Sequence, residues 1–149
     1  MLERFDQFTF AISSIHRFVQ KIQRDEMERY GLKGAAVQYL LALMRHPEGL
    51  TAAQLSQLCD RDKAAVSRIV AEMEGKGLLH RSGPGYRAVL TLTEAGIQAA
   101  RYTDQRACLA AELVGRGISE EDRLQFYQTL AKYAANIQTL SEKGIPREE

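Results

Sequence analysis

The sequence predicts a mainly α-helical fold that carries one small β-hairpin. Apolar residues recur at steps of three and four through most of the chain, and this period gives way to strand-forming residues between Leu78 and Leu92, around a Ser82-Gly83-Pro84-Gly85 tip. With 149 residues, 45% hydrophobic and 26% charged, the chain suits one globular domain with a core of its own.

The first helix is read from Phe5, Phe8, Ile12, Ile15, Val19 and Ile22, a heptad-like stripe closed by Tyr30 and Gly31. A second runs from Lys33 to about Arg45, with Ala36, Val37, Leu40, Leu41 and Met44 as a broad apolar face that stops before His46-Pro47-Glu48-Gly49. Thr51 is a candidate N-cap with Gln54 in capping-box position, opening a short helix whose inner face is Leu55 and Leu58 and which ends near Asp60. Asp62 caps the next helix, which runs to about Lys76. Val66, Ile69, Val70 and Met73 turn inward there, and Gly75 and Gly77 stop it.

After the hairpin, whose second strand is read from Tyr86 to Leu92, Thr93 and Glu94 reopen helix as far as about Val114. Gly115 and Gly117 break it, and Ser119, with Asp122 three residues on, caps a last helix carrying Phe126, Leu130, Tyr133, Ile137 and Leu140. The chain thus begins and ends with long helices whose apolar stripes exceed what one small core can cover. A second copy is the simplest cover, since closed two-fold dimers are the commonest soluble oligomers. The expected organisation is dimerisation helices at 1–30 and 118–143, a DNA-binding region at 32–92, a connecting helix at 93–115 and a flexible tail at 144–149.

Several function classes find no support. No apolar run approaches the ~18 residues of a membrane span, and charges at Glu3, Arg4 and Asp6 open the chain, so a cytoplasmic protein is expected. Cys59 and Cys108 lack CxxC spacing and read as reduced core thiols. His16, His46 and His80 are too far apart in sequence for a metal-ligand pattern, so no metal is expected. No nucleophile-base pair, paired carboxylates or phosphate-binding loop stands out, and the glycine-proline tip lacks the lysine of such a loop. Neither catalysis nor a cofactor is expected.

A short helix, a tight turn, a second helix and a hairpin follow the order of a winged helix-turn-helix, whose second helix enters the roughly 12 Å wide major groove of double-stranded DNA. Lys63, Ser67 and Arg68 stand opposite Val66, Ile69 and Val70 on that helix, and the small Ala64 and Ala65 allow close approach to base edges. With Arg61 before the helix and Tyr86 and Arg87 on the hairpin, these are the candidate DNA-binding residues. The net charge is only +1, but residues 59–90 hold six Lys or Arg against four acids, so the positive footprint is local.

The stretch LSQLCDRDKAAVSRIVAEMEGKGLLHRSGPGYRAVLTLTEAG resembles the core of the MarR family of transcriptional regulators, chiefly at Asp62-Lys63, Ser67-Arg68, Gly77-Leu78, Arg87 and Leu92-Thr93. The resemblance implies a homodimeric regulator, of the repressor kind, on a pseudo-palindromic operator. It makes residues 62–76 the recognition helix, with Lys63, Ser67 and Arg68 facing DNA and Arg87 on the wing. It further implies a small aromatic or phenolic ligand between the dimerisation helices and the winged region, where His16, Arg17, Tyr39 and Arg45 are candidate polar contacts. The sequence departs from the family pattern in its short wing tip, in lacking the acid that precedes the wing arginine, in Asp60 at a usually small position and in Cys59 at a usually apolar one. The alternative reading is a winged-helix protein-interaction module that does not bind DNA.

Overall fold

The apolar periodicity becomes six α-helices among the residues described by the computed structural model, which covers residues 2–145 apart from the side chains of Leu2 and Tyr86. These are α1 (Leu2–Glu28), α2 (Ala36–Arg45), α3 (Ala52–Leu58), α4 (Lys63–Gly75), α5 (Glu94–Val114) and α6 (Glu120–Lys143). Three short strands, β1 (Leu50–Thr51), β2 (Leu79–Ser82) and β3 (Val89–Leu92), form an antiparallel sheet in the order β1-β3-β2. Leu50 lies opposite Leu90, and Leu79 opposite Leu92. The fold class expected from sequence is the one observed, and no helix among the described residues is long and apolar enough to cross a membrane.

The chain divides into two compact units, Met1–Ala107 and Cys108–Glu149. The core of the first draws Met27 from α1, Tyr39, Leu40 and Leu43 from α2, Leu55 from α3, Val66, Val70 and Met73 from α4, Leu90 from β3 and Ala99 and Ala100 from α5. The end of α1 is tied to α5 by a Glu26–Arg106 ion pair at 2.7 Å and by Arg29, whose guanidinium lies 3.9 Å from the Tyr102 ring centroid. That ion pair holds the Glu26 carboxyl below its ordinary range. In the second unit no residue of α6 is buried.

One close approach fixes how α5 leaves the sheet. Thr93 donates its N–H to the Leu78 carbonyl at 3.1 Å and its hydroxyl to the Gly77 carbonyl at 2.6 Å, while its Oγ1 accepts from the Gly96 N–H. Gly96 is thereby pressed so near the turn after α4 that a Cβ there would stand 2.0 Å from the Leu78 oxygen. Glycine is required at 96 by packing; its φ is not in the left-handed region.

Four readings are corrected. Leu58 is 56% exposed and is not an inner-face residue; the place one turn beyond Leu55 is taken by Cys59, which packs against the core. Cys108 is exposed, because the burial along α5 ends at Thr103. The second hairpin strand starts at Val89 and not at Tyr86, since Gly85–Arg87 forms a 3₁₀ turn. The second helix begins at Ala36, after a turn at Gly34-Ala35. Of the tail read as flexible, residues 146–149 lie outside the described residues.

Candidate nucleic-acid interface

Two side-chain caps set the helix-turn-helix. At the start of α3, Thr51 Oγ1 accepts from the Gln54 N–H at 3.3 Å and Gln54 Oε1 accepts from the Thr51 N–H at 2.8 Å, the reciprocal capping box. At the start of α4 the Asp62 carboxylate accepts from the Ala65 N–H at 2.9 Å. That backbone bond is the main cause holding the Asp62 carboxyl below its ordinary range, with Arg68 contributing charge.

Between the helices, Asp60 takes φ +48°, the left-handed conformation that favours glycine. The turn is held around it: the Arg61 N–H donates to the Ser56 carbonyl at 3.1 Å, and the Ser56 hydroxyl donates to the Arg61 carbonyl. The left-handed kink reverses the chain within a few residues, so that α4 starts with its first turn in solvent.

Along α4, Val66, Ile69, Val70 and Met73 are buried, whereas Lys63, Ala64, Ser67 and Arg68 are exposed. The exposed set occupies the N-terminal two turns, with a hydroxyl and two cations on one side and a methyl between them. Arg61, Lys63 and Arg68 make no ion pair with any described residue. A surface of this kind presents hydrogen-bond donors that suit guanine edges and phosphates.

Two of the four acids counted against this surface are occupied elsewhere. Glu72 pairs with Lys33 at 3.2 Å. Glu74 takes Arg81 in a two-bond fork, Nε to Oε1 at 3.0 Å and an Nη to Oε2 at 2.8 Å, which lowers the Glu74 carboxyl and raises the guanidinium. Arg81 thus fixes β2 to the last turns of α4. Sequence reasoning counted it only as local charge, and seven residues of separation across a turn gave no signal of the pairing.

The wing tip is compact. Pro84, Gly85, Tyr86 and Arg87 lead through the 3₁₀ turn to Ala88, which is buried, and Arg87 is exposed as the last residue of that turn. The Tyr86 side chain lies outside the described residues. Lys63, Ala64, Ser67 and Arg68 therefore share one face of α4, with Arg61 on the preceding turn, and Arg87 belongs to a separate element, the wing.

The four candidate ligand contacts lie on two helices and differ in burial. His16 and Arg17 are exposed on α1, Arg17 lying 5.1 Å from the ring centroid of its neighbour Phe18. Tyr39 is in the core, where burial raises its hydroxyl pKa, and Arg45 ends α2 in solvent.

This arrangement, two capped helices joined by a left-handed turn and followed by a short three-stranded wing, has a counterpart among known sequences. Residues 30–87 match the MarR family. The matched stretch covers α2 to Arg87, and so contains every candidate DNA-facing residue. Among curated protein sequences nothing matches.

The fold recurs in solved structures, MarR-family regulators among them. A MarR-family transcriptional regulator from Listeria monocytogenes complexed with a 26mer DNA is 20% identical, with 95% of this chain and 97% of that one covered and a TM-score of 0.78. A Staphylococcus aureus MepR–DNA complex is also 20% identical, with 87% and 97% covered and a TM-score of 0.79. A MarR protein from Peptoclostridium difficile is 16% identical, with 89% and 88% covered and a TM-score of 0.80.

Proposed function

We propose that this chain is a sequence-specific double-stranded DNA-binding transcriptional regulator that acts as a homodimer, as a repressor on a pseudo-palindromic operator. The observation that carries the reading is the two-sided α4, with its apolar face locked in the core and Lys63, Ser67 and Arg68 displayed at its solvent-facing N-terminal turns. The match of residues 30–87 to the MarR family supports it, as do the DNA complexes of the Listeria and Staphylococcus proteins of the same fold.

The dimer is inferred from surface that one chain leaves uncovered. On α1, Phe5, Ile15 and Ile22 are exposed, and on α6 so are Phe126, Tyr133, Ile137 and Leu140. Stripes of this size on an otherwise polar surface favour association, and a two-fold dimer presents two recognition helices about one DNA turn, ~34 Å, apart.

The test is fluorescence anisotropy with DNA from the protein's own upstream region and with a scrambled duplex, at two salt concentrations. Tight binding that prefers the upstream DNA and weakens with salt is expected. Equal affinity for both duplexes, or no binding at either salt, refutes the reading.

A further inference from the structure

The place of a cation within a wing decides which part of a duplex it can touch. The minor groove is about 6 Å wide and about 7.5 Å deep, so an arginine that reads base edges there has to stand at a projecting apex. In this chain the apex is Gly83, Pro84 and Gly85, all exposed and uncharged, and Arg87 is the only charged residue from Ser82 to Ala88.

The hairpin carries Arg87 at its base. Ser82 pairs with Val89, so residues 83–88 form the whole tip. Within it Gly85–Arg87 is a 3₁₀ turn, which advances about 2.0 Å per residue where a strand advances about 3.4 Å. That turn lies beside α3, the first helix of the helix-turn-helix. A Cβ on Gly83 would stand 3.8 Å from the Ala88 Cα, so the two sides of the tip are in contact. Next to Arg87, Ala88 is buried, and Val89 pairs with Thr51, the N-cap of α3. The other strand is drawn the same way, since the Arg81 guanidinium is turned back onto Glu74 of α4 at 3.0 and 2.8 Å.

We propose that the wing of this protein is retracted onto the helix-turn-helix, and that Arg87 grips a DNA phosphate beside the major groove entered by α4, leaving the minor groove unread. The inference rests on the DNA-binding reading above and names what the wing contributes to it. A phosphate contact fixes register and adds affinity but carries no sequence information. Sequence preference is then the work of α4, where Lys63, Ser67 and Arg68 are displayed, and the minor-groove edges of the operator are immaterial to Arg87.

The test is a cycle of two proteins and two duplexes, read by fluorescence anisotropy. The upstream duplex is made once with adenine and once with 2,6-diaminopurine in its place, which adds an amino group to the minor groove of each A·T pair and leaves its major-groove edge unchanged. Whatever the replacement does to the duplex itself is common to the parent and to Arg87→Ala, and cancels in the comparison. The two proteins are expected to respond to it alike, within about twofold. Arg87→Ala is also expected to lose about one unit of salt slope on both duplexes. A replacement that costs the parent over about twofold more than it costs the variant puts Arg87 in the minor groove and overturns the inference. So does a variant with the parental slope. If Arg87→Ala does not fold, Arg87→Gln takes its place in the cycle, being neutral and of similar length. A parent that binds neither duplex refutes the functional reading and this inference with it, whereas one that prefers the upstream duplex and fails the cycle leaves that reading standing.

Discussion

Replacing Gly96 by alanine tests the contact on which the placement of α5 depends. The added Cβ would stand 2.0 Å from the Leu78 oxygen and 3.0 Å from its carbonyl carbon, both backbone atoms with no rotamer to yield. To reach an ordinary contact distance the start of α5 must back away from the turn after α4 by roughly 1.5 Å. That movement stretches the two Thr93 bonds to the Leu78 and Gly77 carbonyls. Overpacking of this kind costs about 1–3 kcal/mol and each weakened bond about 1 kcal/mol, whereas alanine returns at most about 1 kcal/mol of helix propensity. The net expectation is a loss of about 2–4 kcal/mol, a large part of the ~5–15 kcal/mol that holds a typical domain. Urea unfolding followed by far-UV circular dichroism reads it as a lowered midpoint at unchanged m-value. A variant within about 0.5 kcal/mol of the parent would show that α5 is not pressed on Leu78 in solution, and would sink the packing argument.

Further expectations follow from the site. Arg68→Ala should weaken binding to the upstream duplex by about 1–3 kcal/mol and narrow the gap between upstream and scrambled DNA, as read by anisotropy; a gap as wide as the parent's counts against base contact. Arg87→Ala should weaken binding to both duplexes alike and reduce the salt slope by about one, and parental affinity would remove the wing from the interface. Thr51→Ala should lose about 1 kcal/mol of stability through the capping box, measured by urea unfolding, and an unchanged midpoint would mean the box frays in solution. Acid should destabilise the chain in part through Glu26 and Glu74. Arginine partners depress both carboxyls below 4.5 in the folded state, so their contribution is present above that value and is lost as pH falls through the lowered folded one. Glu74→Gln should flatten the acid limb of the stability curve, and an identical limb would show that the Arg81 fork carries no weight.

The parts of this protein legible in the sequence are those whose cause is local. Helical period, caps and stops act within a few residues, so Thr51 with Gln54, Asp62, and Ser119 with Asp122 announced their helices, and the structure has each of these caps. The division of α4 into a buried and an exposed face followed from the same period, which is why Lys63, Ser67 and Arg68 were readable as a surface. Tertiary packing alone decided the rest. β1 is two residues long and exists because Leu50 and Thr51 pair with Leu90 and Val89, some forty residues away. Cys59 packs against the core as expected, whereas Leu58, its neighbour, turns to solvent, because a helical period alone cannot choose between steps of three and four. The Glu74–Arg81 fork and the Gly96–Leu78 approach likewise join groups across turns and helices. Such contacts depend on where whole elements stop against one another, a property of the assembled core that no window of neighbouring residues contains.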